Sequence, residues 1–481
     1  MQNKQRNLSN RYALLWLLIG ASMMPFIHAQ TPLFFAAWLA PLFLLRFSRT
    51  VKPLIALPVI GVVAFVANLI AFRGDFAPFF EGPELYVTLV GIALAYVAIF
   101  AIDRFTWQRL PGILSTFAYP LASVSVGFLG TLGNPIGTAG AEAYSQTSLT
   151  LLQLTSVLGI WSVLFLMNWF ATVVNALWER NFDFGAVKVP VVAFAAVLAA
   201  VLLFGSVRLT FFAPESDTVR TAGIVLDREL REQRDIPAII EDLFERSERE
   251  AQAGARIVVW SEAAVSIMKE DEQAILERAS ELAASTDVYL QLGLDVTDER
   301  GDERIVENRA IMFTPSGDMA WDYDKAKPTP GDPELPGTDD MPYIDTPYGR
   351  IATIICQDDL FPGLVAQAGR LDVDILLVPS NDWQGIADWH NHMAKARAIE
   401  NGVNIVRPTS RGISSVIDST GRTVAEKGDY FTTDSHTFVA FTPTAGTKTI
   451  YPHIGEVFAY AVVTGLGAVI GVAVYRKIRK Q

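Results

Sequence analysis

The chain is short of charge and nearly free of cysteine. Of its 481 residues only 19% are Asp, Glu, Lys or Arg, where soluble domains carry about 25%. The shortage is local. Residues 12–207 hold few charges, in short clusters, while residues 215–445 have the make-up of an ordinary acidic domain. Two solvents are implied, hydrocarbon for one part and water for the other. A formal charge of −12 argues against nucleic acid as a partner, because phosphate selects basic surfaces. The single cysteine, Cys356, excludes an internal disulfide and any multi-cysteine metal site. His390 and His392, two apart, point to different faces of a helix, so no metal is expected.

Apolar runs that cross ~30 Å of hydrocarbon need about 20 residues. Seven precede the polar part, at 12–29, 32–47, 53–72, 85–103, 111–132, 150–178 and 188–207, and an eighth lies at 455–475. Basic residues collect in every second connection. They are Lys4, Arg6 and Arg11; Arg46, Arg49 and Lys52; Arg104 and Arg109; Arg180 and Lys188; and the tail Arg476, Lys477, Arg479 and Lys480. The alternate connections, 73–84 and 133–148, hold only Arg73. By the positive-inside rule both termini are cytoplasmic and residues 208–454 lie outside. Residues 1–29 also fit a signal peptide ending near Ala29, whose removal leaves that side unchanged. The expected division is a membrane bundle over 1–212, a polar domain over 213–448, and a last span with a basic tail over 449–481.

Within the polar part, β-rich apolar runs recur at 219–226, 256–260, 288–295, 308–314, 350–355, 374–378, 403–407 and 413–417. Helical periodicity fits 236–253, 270–284 and 388–401. Pro315-Ser316-Gly317 and Asp418-Ser419-Thr420-Gly421 are hairpin turns followed by polar strands. Strand and helix in repetition give an α/β layered domain, with sheets covered by helices.

Three reactive side chains sit at the ends of such strands. Cys356 closes the run Arg350–Cys356; Glu262 follows Ala255–Ser261; Lys325 follows Trp321-Asp322-Tyr323-Asp324. A lone cysteine in an apolar run is usually just a buried side chain. A reactive thiol needs a base or cation beside it. A carboxylate, an ammonium and a thiol, each at a strand end, supply that combination.

Trp260-Ser261-Glu262-Ala263-Ala264, then Tyr323-Asp324-Lys325, then Ile355-Cys356 resemble, in order, the Glu–Lys–Cys set of the nitrilase superfamily. Pro379-Ser380-Asn381-Asp382-Trp383, Arg397–Gly402 and Gly412–Asp418 also look like that superfamily. With seven apolar runs before this domain and one after it, the layout resembles the bacterial apolipoprotein N-acyltransferase family. Pro25-Phe26, Ala37–Leu42 and Gln153–Phe165 look like its membrane motifs. The resemblance implies a multi-span α-helical membrane bundle with an extracytoplasmic αββα nitrilase-type sandwich, in the inner membrane. It also implies a fatty acyl group passing from a phospholipid, through a Cys356 thioester, to the amine of diacylglyceryl-cysteine lipoproteins, with no cofactor.

The chain departs from the family pattern at Gln357 and Asp358, where an aromatic residue and Glu are usual, and at Ser261, where Pro is common. The loop after Lys325 also differs; a second carboxylate is expected there, either Asp332 or Glu334. Gln357 offers a backbone N–H to an oxyanion. Trp383, Trp389 and Phe361 are candidates for an acyl entrance, or ordinary core aromatics. Two other functions fit the same residues: a membrane-tethered carbon–nitrogen hydrolase that uses water as acceptor, and a non-catalytic lipid-binding protein.

Overall fold

The computed structural model describes residues 12–28, 33–72, 82–212, 214–300, 303–433 and 436–479. Lys4, Arg6, Arg11, Ala29, Arg73 and Lys480 lie outside the described residues. Two compact units form. The apolar unit takes 1–134, 140–208 and 456–481; the polar unit takes 135–139 and 209–455.

In the apolar unit every expected run is helical, but among the described residues six helices are long and apolar enough to cross a membrane. They are Pro53–Ala71, Pro83–Arg109, Gly112–Thr131, Ile160–Glu179, Phe184–Phe211 and Val457–Ile478. The runs at 12–29 and 32–47, read as spans, form shorter helices. Ala13–Met23 gives way to a tight turn at Met24–Phe26, where Pro25 has no N–H to continue an α-helix. Ala36–Thr50 has 15 residues with Pro41 inside, about 22 Å of rise against ~30 Å of hydrocarbon. The run 150–178 is broken where Gly159 takes φ +70°, and its long helix starts at Ile160. The basic connections gather within this unit. Arg49 holds Asp103 through two hydrogen bonds of 2.8 and 3.0 Å, Arg104 donates to Val51 O, and Arg476 donates to Arg109 O.

Among the described residues the polar unit has fifteen strands. The first six are β1 Thr218–Ile224, β2 Ile257–Trp260, β3 Val265–Met268, β4 Tyr289–Arg300, β5 Glu303–Phe313 and β6 Met319–Asp324. Then come β7 Tyr343–Thr346, β8 Gly349–Thr353, β9 Ile375–Leu377, β10 Ser380–Asn381 and β11 Asn404–Arg407. The last are β12 Thr409–Ser410, β13 Ser414–Ile417, β14 Thr423–Lys427 and β15 Thr437–Pro443. One sheet runs β15-β1-β2-β4-β5-β6, with β3 beside β4; the other runs β14-β13-β11-β9-β8-β7.

Alternation along β2 decides the layering. Ile257 and Val259 enter a core shared with Ile351, Ile375 and Ile405 of the second sheet. Val258 and Trp260 face Leu243, Phe244 and Ala279 of the helices Ile236–Gln252 and Glu272–Thr286. The helices Pro362–Arg370 and Ala387–Asn401 contribute Leu364, Val365, Ala394 and Ala398 to the core of the second sheet. The order is helix, sheet, sheet, helix: the α/β sandwich expected from the sequence.

Candidate active site

Glu262 is brought in by a close backbone approach. It follows β2, and Ala263 takes φ +45° to turn the chain back toward β3. Ala264 N donates to Gly293 O at 2.9 Å. A Cβ on Gly293 would stand 2.1 Å from Ser261 O, so this stretch of β4 requires glycine. Lys325 follows β6, its N–H donating to Asn308 O and its carbonyl accepting from Gly337 N, both at 2.9 Å.

The two side chains meet in the interior. Lys325 Nζ lies 2.8 Å from Glu262 Oε1 and 3.2 Å from Glu334 Oε2. Asn308 Nδ2 donates to Glu262 Oε1 and to Glu334 Oε1, each at 2.8 Å. Of the two acidic residues expected in the loop after Lys325, Glu334 is therefore the one that joins it, while Asp332 is exposed. Burial opposes the charged form of Lys325, but Glu262, Cys356 and Glu334 outweigh it and hold the ammonium well above its ordinary range.

Cys356 follows β8 and begins a tight turn, Cys356–Leu360. Its φ is +44° and its N–H donates to Pro379 O at 3.0 Å. A non-glycine residue in the left-handed region costs about 1–3 kcal/mol, and such residues cluster where a side chain must be aimed. The thiol is buried, and burial together with the Glu262 and Asp382 charges pushes its pKa up, while Lys325 and Arg407 pull it down. The sulfur thus feels both Glu262 and Lys325.

The residues after Cys356 lock its turn. Asp358 accepts from Ile355 N at 2.9 Å, and from Tyr323 OH and Lys327 N, each at 2.8 Å. It ties the Lys325 loop to the Cys356 turn. Burial, opposed by those donors, raises its pKa to about 6. The Gln357 side-chain amide bridges Pro135 O and Pro328 O, both at 3.1 Å. Thr138 N and Oγ1 both donate to Leu360 O, so 135–139 packs on the same turn.

The three aromatic candidates differ in burial. Trp389 is buried and donates to Ala139 O at 3.0 Å. Trp383 is half-buried. Phe361 is half-buried against the core, with Lys327 Nζ 5.6 Å from its ring centre.

Sequence reasoning passed over Asn308, Tyr323, Asp359, His390 and Arg407. Asn308 opens a predicted strand and carries no motif, and Tyr323 was quoted only as a neighbour of Lys325; both face the site. One donor atom each of Cys356, Asp382 and His390 lie within 4.8 Å of one another. That set does not fit a resident cation. Arg407 Nη2 donates to both Asp382 oxygens, and the two His390 nitrogens face the carboxylates of Asp382 and Asp359.

Residues 230–439 match the family model described as carbon-nitrogen hydrolase. The apolipoprotein N-acyltransferase of Geobacter metallireducens is 25% identical over 429 residues, 81% of each chain. That of Bradyrhizobium diazoefficiens is 26% identical over 374 residues, 69% of this chain and 68% of its own. The Rickettsia typhi enzyme of that name is 20% identical over 297 residues, 57% of this chain and 60% of its own. Among solved structures, an amidase from Nesterenkonia sp. is 18% identical with a TM-score of 0.43, covering 52% of this chain and 97% of that one.

The polar unit has a nitrilase-like α/β fold and matches the carbon–nitrogen hydrolase family model over residues 230–439. With its apolar helical unit, the chain as a whole is apolipoprotein N-acyltransferase-like.

Proposed function

We propose that this protein transfers a fatty acyl group from a phospholipid to the N-terminal amine of diacylglyceryl-cysteine lipoproteins, with Cys356 as the acyl carrier. Its polar unit works on the extracytoplasmic side of a bacterial inner membrane, with both termini in the cytoplasm. The observation that carries the chemistry is the buried Lys325–Glu262 pair at 2.8 Å, both of whose charges act on the Cys356 thiol.

Glu262 takes the Cys356 proton, and the thiolate attacks the phospholipid ester carbonyl. Lys325 and the backbone N–H of Gln357 stabilise the oxyanion, one such donor being worth ~3 kcal/mol of barrier. The C–O bond breaks and Glu262 returns the proton to the lysophospholipid, leaving a thioester. The amine of the acceptor then attacks that thioester, Glu262 accepts its proton, the C–S bond breaks and the thiol re-forms. Splitting one slow aminolysis into two displacements is the gain of covalent catalysis. Glu334 and Asn308 hold the pair in register. Long acyl chains leave a bilayer only at ~0.8 kcal/mol per CH2, so the apolar helices keep enzyme and donor in one phase.

Reconstituted protein, given labelled phospholipid and a diacylglyceryl peptide, is expected to yield triacylated peptide. Hydrolysis of a soluble amide with no peptide acylation would instead identify a hydrolase.

A further inference from the structure

Behind the nucleophile lies a buried charge cluster that this scheme leaves unused. His390, on the helix Ala387–Asn401, places Nε2 2.8 Å from Asp359 Oδ1 and Nδ1 2.8 Å from Asp382 Oδ1. Arg407, ending β11, donates to the Asp382 oxygens at 3.0 and 3.1 Å and stands 2.7 Å from His390 Nδ1. All four residues are at most 2% exposed. His390 and Asp382 each bring an atom within 4.8 Å of the Cys356 sulfur, and Asp359 belongs to the nucleophile's own turn. Buried ion pairs are weak devices for stability compared with apolar packing. Four charges beside a nucleophile therefore point to chemistry.

The signs explain what they do. Asp359 and Asp382 bring two negative charges, and Arg407 brings one positive charge. Other charged groups nearby are Glu262 and Lys325, across the sulfur, and Arg397 with Glu400 on the helix of His390. Arg397 Nε donates to Asp359 O at 2.8 Å. Burial and the neighbouring Arg407 oppose a charged His390, but Asp359 and Asp382 together outweigh them and raise its pKa to about 9. The four groups are then neutral together. A neutral side chain at position 390 would leave one net negative charge beside the sulfur, and like charge disfavours a thiolate.

We infer that His390 is a positioning residue that balances the carboxylates behind Cys356 and so keeps the thiolate accessible. This rests on Cys356 being the nucleophile of the proposed reaction.

The test uses the full chain in detergent micelles. Cys356 is the one cysteine, so its alkylation by iodoacetamide can be followed by intact mass without any acyl donor. Its acylation by labelled phospholipid is followed in parallel. His390→Gln is expected to slow both by about tenfold, the effect of one pKa unit, with the half-saturating donor concentration unchanged. The double variant Asp359→Asn/His390→Gln restores neutrality and is expected to recover at least about threefold over the single variant. A merely structural role predicts that the double variant is worse. Wild-type alkylation in His390→Gln, or a double variant no faster than the single, overturns the inference. If His390→Gln does not fold, 15N-histidine spectra of the unmutated protein decide. One histidine doubly protonated at about pH 8 supports the inference; five titrating near the ordinary value overturn it. Absent acylation with the alkylation pattern intact counts against the proposed function and supports the charge balance.

Discussion

Glu334 and Asp332 show how the structure separates two residues of one loop that the sequence leaves equivalent. Glu334 reaches Lys325 and shares Asn308 with Glu262, whereas Asp332 is exposed. Glu334→Gln is expected to slow Cys356 acylation by about 10- to 100-fold, in the range of a lost oriented partner. Asp332→Asn should change it by less than about threefold; initial rates from labelled phospholipid check both. His390 adds a pH dependence. Its pKa is raised from 6.5 to about 9 in the fold. Its contribution to stability is therefore complete below pH 6.5 and is lost as pH rises through about 9. Chemical denaturation of wild type and His390→Gln should show a stability gap that narrows from pH 7 to pH 10.

Among elements, strands buried along their whole length were legible, the polar β6 and β14 were legible from the hairpin turns before them, and three half-exposed strands without such a turn were not. β2, β9, β11 and β13 are buried throughout and were found. β7, β15 and β3 expose every second residue or nearly so, and their polar positions read as loop. Glu262, Lys325 and Cys356 were legible because each ends or follows a recognisable strand. Their partners were not, because Asn308 reaches Glu262 only through the order of strands within its sheet, and His390 reaches the site only when its helix packs behind the Cys356 turn. The element most sensitive to change is β4 at Gly293, whose missing Cβ lets the 261–262 backbone approach. Gly293→Ala is expected to destabilise the protein by about 1–3 kcal/mol, the usual cost of overpacking, and to lower acylation more than its melting point suggests. A substitution that leaves acylation unchanged would show that Glu262 is not held by this contact.

For the whole molecule, the charge bias and the run lengths predicted a membrane protein with one polar domain, and the six span-length helices and the polar unit fit that division. The described parts of the first two runs are helices shorter than the other six, with Pro25 and Pro41 in them, which hydropathy does not register. The side proposed for the polar unit rests on Arg and Lys placement alone. A cysteine placed at exposed Lys448, in a Cys356→Ser background, is expected to react with a membrane-impermeant reagent in intact spheroplasts. Labelling only after lysis would invert the orientation.

The measurement that bears most directly on the central claim is the intact mass of the protein after incubation with phospholipid vesicles and no acceptor. Wild type is expected to gain one acyl mass, localised to Cys356, that a diacylglyceryl peptide then removes. Cys356→Ser should gain none, and Glu262→Gln should gain it far more slowly. An unchanged wild-type mass with every phospholipid tried would contradict the account.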